Sequence, residues 1–463
     1  MNIQQEKLYH RWEWRTIICL MIGYALFYFV RKNLSMAIPA MEAQLGLSKV
    51  QLGIFMTLNG VIYGASRLVN GMLVDRFSRR KIMSLGLLLS AIVNFIIAFS
   101  PKMNGFLHLL DGEGKATLGF VYFIGSLWLI NGYLQGMGVP PCVSLLSHWI
   151  RPKELPTKQA IWNTSHSIGA GLVVLLCGFL LKEFGYSYWN LCFIVPASIA
   201  LIGVPVIFFG IKDDPVEVGL PPIEKMDEEG ASAKEPSTEK PIDKQLRNKI
   251  MVKMVFLNPV LWTIALANFC MNVIRGTILD WGGAFLVQDK GFDISIAGSV
   301  VGSCELIGGI LGMLVSGWVT DRFFQHKGHR TCLVCMVMTT ICFILFREST
   351  GMVSTIIFLI LSAFFIYGPQ ALYGTCASMQ CTKYAAGTGN GVIGILGYLS
   401  TFVSGIWFGH IAGSALGWDR VYILTIAFGV LGSLIIALLW KVPADGYHKV
   451  EKIIAANTPA DQA

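Results

Sequence analysis

The sequence predicts an all-α membrane protein: twelve transmembrane helices arranged as two pseudo-symmetric six-helix bundles. Three observations carry this. Only 14% of the 463 residues are charged, against about 25% in soluble globular proteins. The deficit is concentrated in long uncharged runs, and a run of about 20 apolar residues spans a bilayer core. One charged motif occurs twice, at nearly the same distance from an arginine inside an apolar run. Backbone in lipid must satisfy its own hydrogen bonds, so the runs are read as helices.

The spans follow in order. Span 1 (16–38) is apolar but carries Arg31 and Lys32, and its lack of a small-residue cleavage site argues against a cleavable signal peptide. Span 2 (50–72) leads into Asp75 and Arg76. Span 3 (81–100) is uncharged after Lys81, and span 4 (120–146) lies in the uncharged stretch 120–150. Span 5 (157–182) follows a basic loop, and span 6 (189–210) is uncharged from Cys192. Residues 211–250 break the pattern: Asp213 to Lys244 is rich in Pro, Glu, Lys and Ser and cannot bury a core. The chain is therefore divided into a first bundle (1–210), a cytoplasmic linker (211–250) and a second bundle (251–463). The second bundle holds spans 258–286, 293–320, 331–347, 352–378, 385–411 and 418–441.

Charge placement sets the orientation. Arg76, Arg79, Arg80 and Lys81 follow span 2, Arg151 and Lys153 follow span 4, and Arg322, Lys327 and Arg330 follow span 8. Lys7, Arg11 and Arg15 precede span 1. By the positive-inside rule both termini are cytoplasmic. The net charge of +8 is then a topology signal, and no basic soluble module is present to suggest nucleic acid. The eleven cysteines lie mostly inside spans, and Cys332-x-x-Cys335 lacks partner ligands, so small apolar packing accounts for them.

The halves repeat. Span 2 ends in Gly71-Met-Leu-Val-Asp75-Arg76, followed by Arg79-Arg80-Lys81; span 8 ends in Gly317-Trp-Val-Thr-Asp321-Arg322. Arg31 precedes Asp75 by 44 positions and Arg275 precedes Asp321 by 46. Parallel repeats of this kind mark transporter halves. Glycine lets two helix ends approach closely, the aspartate suits a neighbouring helix N-terminus, and the arginines suit carboxylates or headgroups. The expected gating residues are Gly71, Asp75, Arg76, Arg80, Gly317, Asp321 and Arg322. The motif resembles the signature loop of the major facilitator superfamily.

Charges at membrane depth cost a few kcal/mol or more and mark function. Tyr24, Tyr28 and Arg31 fall at i, i+4 and i+7, Tyr63 and Arg67 at i and i+4, Trp162 and His166 at i and i+4 beside Asn163, and Asn272 and Arg275 at i and i+3. Each stripe pairs a cation or titratable group with an aromatic or an amide. Guanidinium forks grip phosphate oxygens bidentately, and hydroxyls and amides add neutral hydrogen bonds. Tyr367 and Tyr398 are further candidates. The expected site therefore holds an oxygen-rich anion. Membrane acids are few, chiefly Asp280 and Glu305, which disfavours proton-coupled export of a cation. No Walker loop, HExxH helix or paired-carboxylate constellation appears, so neither catalysis nor a metal or cofactor is expected.

Nearly the whole chain also resembles the organophosphate:phosphate antiporters, a branch of that superfamily. The resemblance rests on Gly23-Tyr-Ala-Leu-Phe-Tyr-Phe-Val-Arg31-Lys32-Asn33, Tyr63-Gly-Ala-Ser-Arg67, Asn131-Gly-Tyr-Leu-Gln-Gly-Met-Gly-Val-Pro-Pro141 and Trp162-Asn-Thr-Ser-His166. In the second half it rests on Arg275 with Asp280-Trp281, Tyr367-Gly-Pro369, Ala385-Ala-Gly-Thr388 and Gly397-Tyr398. It implies that Arg31 and Arg275 are the family's essential arginines, His166 its helix 5 histidine, and that Arg67 stands where relatives have lysine. Asn272 and Val139 depart from the glycerol-3-phosphate carriers, whereas Asp213-Asp214-Pro215 to Gly219-Leu220-Pro221 resembles the hexose-phosphate carriers and sensors. The implied function is exchange of a hexose phosphate such as glucose-6-phosphate for inorganic phosphate by alternating access, by a monomer in the bacterial inner membrane. A glycerol-3-phosphate or phosphoglycerate antiporter and a sugar-phosphate sensor are the alternatives. His166 is expected to add pH dependence.

Overall fold

The structure, a computed structural model, describes residues 3–47, 49–223, 244–412 and 417–457. Among them, nine helices are long and apolar enough to cross a membrane. One of these runs from Met352 to Ala412 but leaves helical geometry at Thr382 (φ 57°) and Ala385 (φ −143°). It doubles back there, because Gly374 lies against Asn390. It is therefore two spans. With Lys49–Val74 and the interrupted Leu118–Trp149 pair, twelve spans result.

We number these spans α1 (Ile3–Leu45), α2 (Lys49–Val74), α3 (Arg79–Phe99), α4 (Leu118–Gln135 and Val139–Trp149), α5 (Leu155–Asn163 and Ser165–Phe184) and α6 (Leu191–Gly210). The second set is α7 (Pro259–Gln288), α8 (Ile294–Phe323, with a π-helical turn at Cys304–Gly308), α9 (Gly328–Glu348), α10 and α11 (the arms 352–381 and 386–412) and α12 (Gly417–Ala437). Local chemistry fixes several ends. Thr117 accepts a hydrogen bond from the Phe120 amide at the start of α4. Asn258 does the same for the Val260 amide at the start of α7, with Pro259 in the first turn, where its missing N–H costs nothing.

The cores segregate largely by half, with Ala160 and Met379 crossing over. One set of buried residues runs from Tyr9, Phe27 and Leu87 to Trp149, Phe193 and Ile207. The other runs from Leu261, Ile278 and Phe285 to Phe343, Tyr373 and Phe408. The stretch expected as a linker is structured at both ends. Asp213 accepts the Arg80 amide (2.9 Å) and the Ser78 hydroxyl, capping α3. Asp214 meets Arg79 at 3.4 Å. Lys244–Met251 is a short helix leading into α7; residues 224–243 lie outside the described residues. The composition of the stretch missed these ends because their partners come from distant basic loops.

The N-terminal turn, both motif loops and the C-terminal segment share one face of the molecule. Tyr9 donates to the Trp149 carbonyl and Arg151 to Glu6, while Gly446 donates to the Met379 carbonyl. We call it the basic face.

Candidate functional site

Between the bundles lies a cavity of about 840 Å³, walled by α1, α2, α4 and α5 on one side and by α7, α8, α10 and α11 on the other. Eleven of the twelve expected binding residues line it: Tyr24, Tyr28, Arg31, Tyr63, Arg67, Trp162, Asn163, His166, Asn272, Arg275 and Tyr398. Helical spacing gathers them. Tyr24, Tyr28 and Arg31 present one face of α1, and Trp162, Asn163 and His166 present one face of α5.

Arg31 is held by aromatics. Its guanidinium lies 4.0 Å from the Tyr63 ring centroid and 5.4 Å from that of Tyr28. Its Nη2 donates to the Tyr398 hydroxyl at 3.0 Å, a link from α1 to α11. Desolvated cation–π contacts contribute about 2 kcal/mol each, and they orient the fork without neutralising it. Tyr63 and Tyr398 meet edge to face at 4.7 Å. Behind this group, Tyr28 lies 5.8 Å from His166 and Tyr24 lies 5.1 Å from Trp162. The Nδ1 of His166 donates to the Asn163 carbonyl at 2.5 Å.

Arg275 faces the same cavity from α7. Its guanidinium lies 5.5 Å from the Tyr367 ring, and its Nε is buried without a partner. Tyr367 is the exception to the expected set. It is fully buried behind Arg275, with Gly309 of α8 packed against its ring, and it does not line the cavity. Its ring backs the Arg275 guanidinium. Asn272 donates back to the Asn268 carbonyl at 2.8 Å. Among the described residues, neither Arg31 nor Arg275 has a carboxylate at ion-pair distance; the side chain of Asp280 lies outside them.

Arg67 of α2 donates through Nη2 to Asn390 of α11 at 2.5 Å, and its Nε has no partner. Asn390 was not foreseen from the sequence, nor were the cavity carboxamides Gln159, Asn268 and Gln370. For Gln159 a signal existed: it precedes Asn163 by four positions and His166 by seven, on the same stripe. Lys32 and Glu305 also line the cavity.

The two motifs meet opposite bundles at the basic face. Asp75 accepts the amides of Gly387 (2.9 Å) and Thr388 (2.7 Å) and the Thr388 hydroxyl (2.6 Å), capping α11. Burial pushes its carboxyl up to about 6, against the pull of these hydrogen bonds. Asp321 accepts the Thr157 amide at 3.0 Å and the Thr157 hydroxyl, capping α5, with His326 3.2 Å away. Each motif glycine sits where a side chain has no room. A Cβ at Gly71 would lie 2.4 Å from the Gly387 carbonyl oxygen, and one at Gly317 would lie 2.7 Å from Ala160. The arginines do less. Arg76 reaches Asn248 (3.0 Å), Arg80 holds Glu217 (3.9 Å) and the Ile211 carbonyl within its own half, and Arg322 is exposed. Arg79, which stood outside the expected set, is the better-anchored one. It donates to Ser144 at 2.9 Å and meets His148 Nε2 at 2.6 Å.

The Major Facilitator Superfamily family description matches residues 20–405. The chain belongs to the major facilitator superfamily. It is 32% identical to the "Probable hexose phosphate transport protein" of Chlamydia pneumoniae, over 94% of this chain and 93% of that one. It is 31% identical to the "Glycerol-3-phosphate transporter" of Bacillus subtilis, over 96% of each. Among solved structures, the proton:xylose symporter XylE bound to 6-bromo-6-deoxy-D-glucose superposes with a TM-score of 0.71 over 96% of this chain and 99% of that one, at 15% identity. That last likeness concerns the fold alone. Members of the superfamily are membrane transporters, not enzymes. The facilitator fold explains why the cavity sits between the bundles: each half contributes one wall.

Proposed function

We propose that this chain is a secondary antiporter that exchanges an organic phosphate, chiefly a hexose phosphate such as glucose-6-phosphate, for inorganic phosphate by alternating access. The observation that carries the reading is the pair of arginines, one per bundle, lining one cavity with no carboxylate partner among the described residues. A buried charge without a counterion is costly, so the empty cavity favours separation of its walls. A phosphate of about −1.5 to −2 charge neutralises both forks and draws the bundles together. Inorganic phosphate and a phosphate monoester satisfy the same pair, which favours exchange over net release of an empty carrier. The printed functions of the chlamydial and Bacillus relatives support an organic phosphate as substrate.

In this reading the bundles are 1–210 and 251–463, joined by 211–250. The basic face is cytoplasmic and so are both termini, and the protein resides in the inner membrane as a monomer. Arg31 and Arg275 take the phosphate, with His166 and Tyr398 as further donors. Asp75 and Asp321 latch the cytoplasmic side until the halves rock.

Exchange of labelled phosphate in proteoliposomes tests this. Arg31→Lys and Arg275→Lys each keep the charge but lose the fork, and each is expected to reduce exchange at least tenfold, the equivalent of one charge-assisted hydrogen bond. Undiminished exchange in either variant would overturn the two-arginine site. Competition by glucose-6-phosphate, glycerol-3-phosphate and phosphoglycerate ranks the organic substrates. Binding of sugar phosphate without any exchange would assign the chain to the sensors instead.

A further inference from the structure

Among the described residues, two buried carbonyl oxygens on the cavity wall have no hydrogen-bond donor: Oε1 of Gln159 on α5 and Oε1 of Gln370 on α10. Gln159 is 2% exposed, so its amide is committed to the cavity and its surroundings. The same cavity lining carries a set of donors. A side-chain atom placed on Gly374 would sit 3.1 Å from Asn390 Nδ2 and 3.6 Å from Gln159 Nε2, so both amide nitrogens gather at one point of α10. The Nε of Arg67 is buried without an acceptor, while its Nη2 holds Asn390 Oδ1 at 2.5 Å. Glycine at 374 and at 394 keeps the space clear, since a Cβ on Gly394 would lie 2.6 Å from Arg67 Nε.

We infer that Gln159 and Gln370, with Asn390 and Arg67, form a second subsite that recognises the hydroxyl groups of a polyhydroxylated organic moiety. This rests on the phosphate-site reading above and adds the other end of the substrate. The donor–acceptor chemistry selects the ligand. An ionised carboxylate or a dianionic phosphate ester has no proton to give, so a second group of that kind leaves both glutamine carbonyls unsatisfied. An ammonium group would satisfy them but is repelled by Arg31, Arg67 and Arg275 in the same cavity. A sugar hydroxyl gives its proton to a carbonyl and takes one from Arg67 Nε or an amide nitrogen. Alternating donors and acceptors on one wall match neighbouring ring hydroxyls.

Spacing indicates the size. Gln159 and His166 are seven positions apart on one face of α5, roughly 10 Å along the helix. A phosphate held between Arg31 and Arg275 at the level of His166 places the ring hydroxyls of a six-carbon ester within reach of Gln159. The shorter three-carbon ester leaves the glutamines without a donor. Gln159 and Gln370 come from opposite bundles, so a ligand that bonds both also ties the halves at the closed end of the cavity.

Equilibrium binding to the purified protein tests the subsite independently of transport. Titration calorimetry is run with glucose-6-phosphate, glycerol-3-phosphate and inorganic phosphate on the native chain, Gln159→Leu and Gln370→Leu, with thermal unfolding to establish that each variant is folded. The expected result is a roughly tenfold loss of glucose-6-phosphate affinity in each variant, as for a site stripped of a hydrogen-bonding group. Inorganic phosphate affinity should stay within about twofold, because phosphate does not reach the subsite. Equal losses for both ligands, or no loss for either, would overturn the subsite while leaving the phosphate site standing. If only one variant unfolds, the other, from the opposite bundle, decides. A native chain that binds neither inorganic phosphate nor either ester would instead bring down the phosphate reading, and the subsite with it.

Discussion

Replacing Gly71 by alanine is the most direct perturbation of the closed basic face. The added methyl carbon would lie 2.4 Å from the Gly387 carbonyl oxygen, 2.9 Å from its carbonyl carbon and 3.1 Å from Thr388 Cα. All three are backbone atoms at the start of α11, so no side-chain rotation relieves the clash. The two helices must separate, and separation also lengthens the Asp75 bonds to Gly387 and Thr388. Overpacking of this kind costs about 1–3 kcal/mol. The cost applies only while the face is closed, so the closed-to-open ratio should fall about 5- to 150-fold. Alanine also favours the helix by up to about 1 kcal/mol, but it does so in both states and cancels from the ratio. Gly60, also on α2, provides the control: a Cβ there meets nothing within 4 Å. The assay is double electron–electron resonance between nitroxides at Phe77 and Lys441, both exposed, with Cys19 replaced and the ten buried cysteines retained. Gly71→Ala should shift the distribution to longer distances and Gly60→Ala should not. Identical distributions for Gly71→Ala and the native chain would refute the latch argument.

The other expectations follow from the same contacts. Asp75 has a carboxyl raised to about 6 when the face is closed and an ordinary value once exposed. The closed state therefore binds the extra proton between about pH 4 and 6, and closure should strengthen as pH falls through that window and weaken as it rises. The same label pair measured from pH 7.5 to 5 checks this, and Asp75→Asn should flatten the profile. Asp321→Ala strips the α5 cap from the Thr157 amide and should disfavour closure by about 1 kcal/mol, as loss of a helix cap does. Asp75→Ala leaves three donors without an acceptor and should cost more; the label distances rank the two. Tyr398→Phe removes the hydroxyl that receives Arg31 Nη2 while keeping the ring against Tyr63. It should weaken phosphate binding by calorimetry about three- to tenfold, the worth of one ordinary hydrogen bond, because the Tyr398 hydroxyl acts on the phosphate only through Arg31. A loss as large as that of Arg31→Lys would mean that the hydroxyl, not the fork, dominates.

Much of this was legible before any coordinates. A span in lipid is dictated by local composition, so the twelve helices and their order followed from uncharged runs alone. Even the boundary between α10 and α11 was legible, since spans 352–378 and 385–411 bracket the reversal at Thr382 and Ala385, although that reversal occupies almost no chain. Membrane arginines announce themselves for the same energetic reason, and helical spacing put Tyr28 with Arg31 and His166 with Trp162. Tyr367 misled because an aromatic in an apolar helix looks the same whether it lines a cavity or packs behind its wall. Arg79 was passed over in favour of Arg76 and Arg80 because three arginines of one short loop are equivalent in sequence, and only packing separates the one that turns inward to Ser144 and His148.

What sequence by itself determined is the set of groups that lipid cannot tolerate without a reason: two arginines at equivalent depths, and a glycine–aspartate motif repeated at the same end of each half. Burial cost is a property of the residue and its run, so it shows in one dimension. Tertiary structure decided which groups answer them. Arg31 meets Tyr398 and Asp75 meets Gly387 and Thr388 across more than 300 residues, and Gln159 and Gln370, from opposite halves, line one cavity. Such pairings depend on how two bundles approach each other. No local periodicity encodes that approach, because hydrogen bonds between the halves form only where the packed surfaces bring donor and acceptor together.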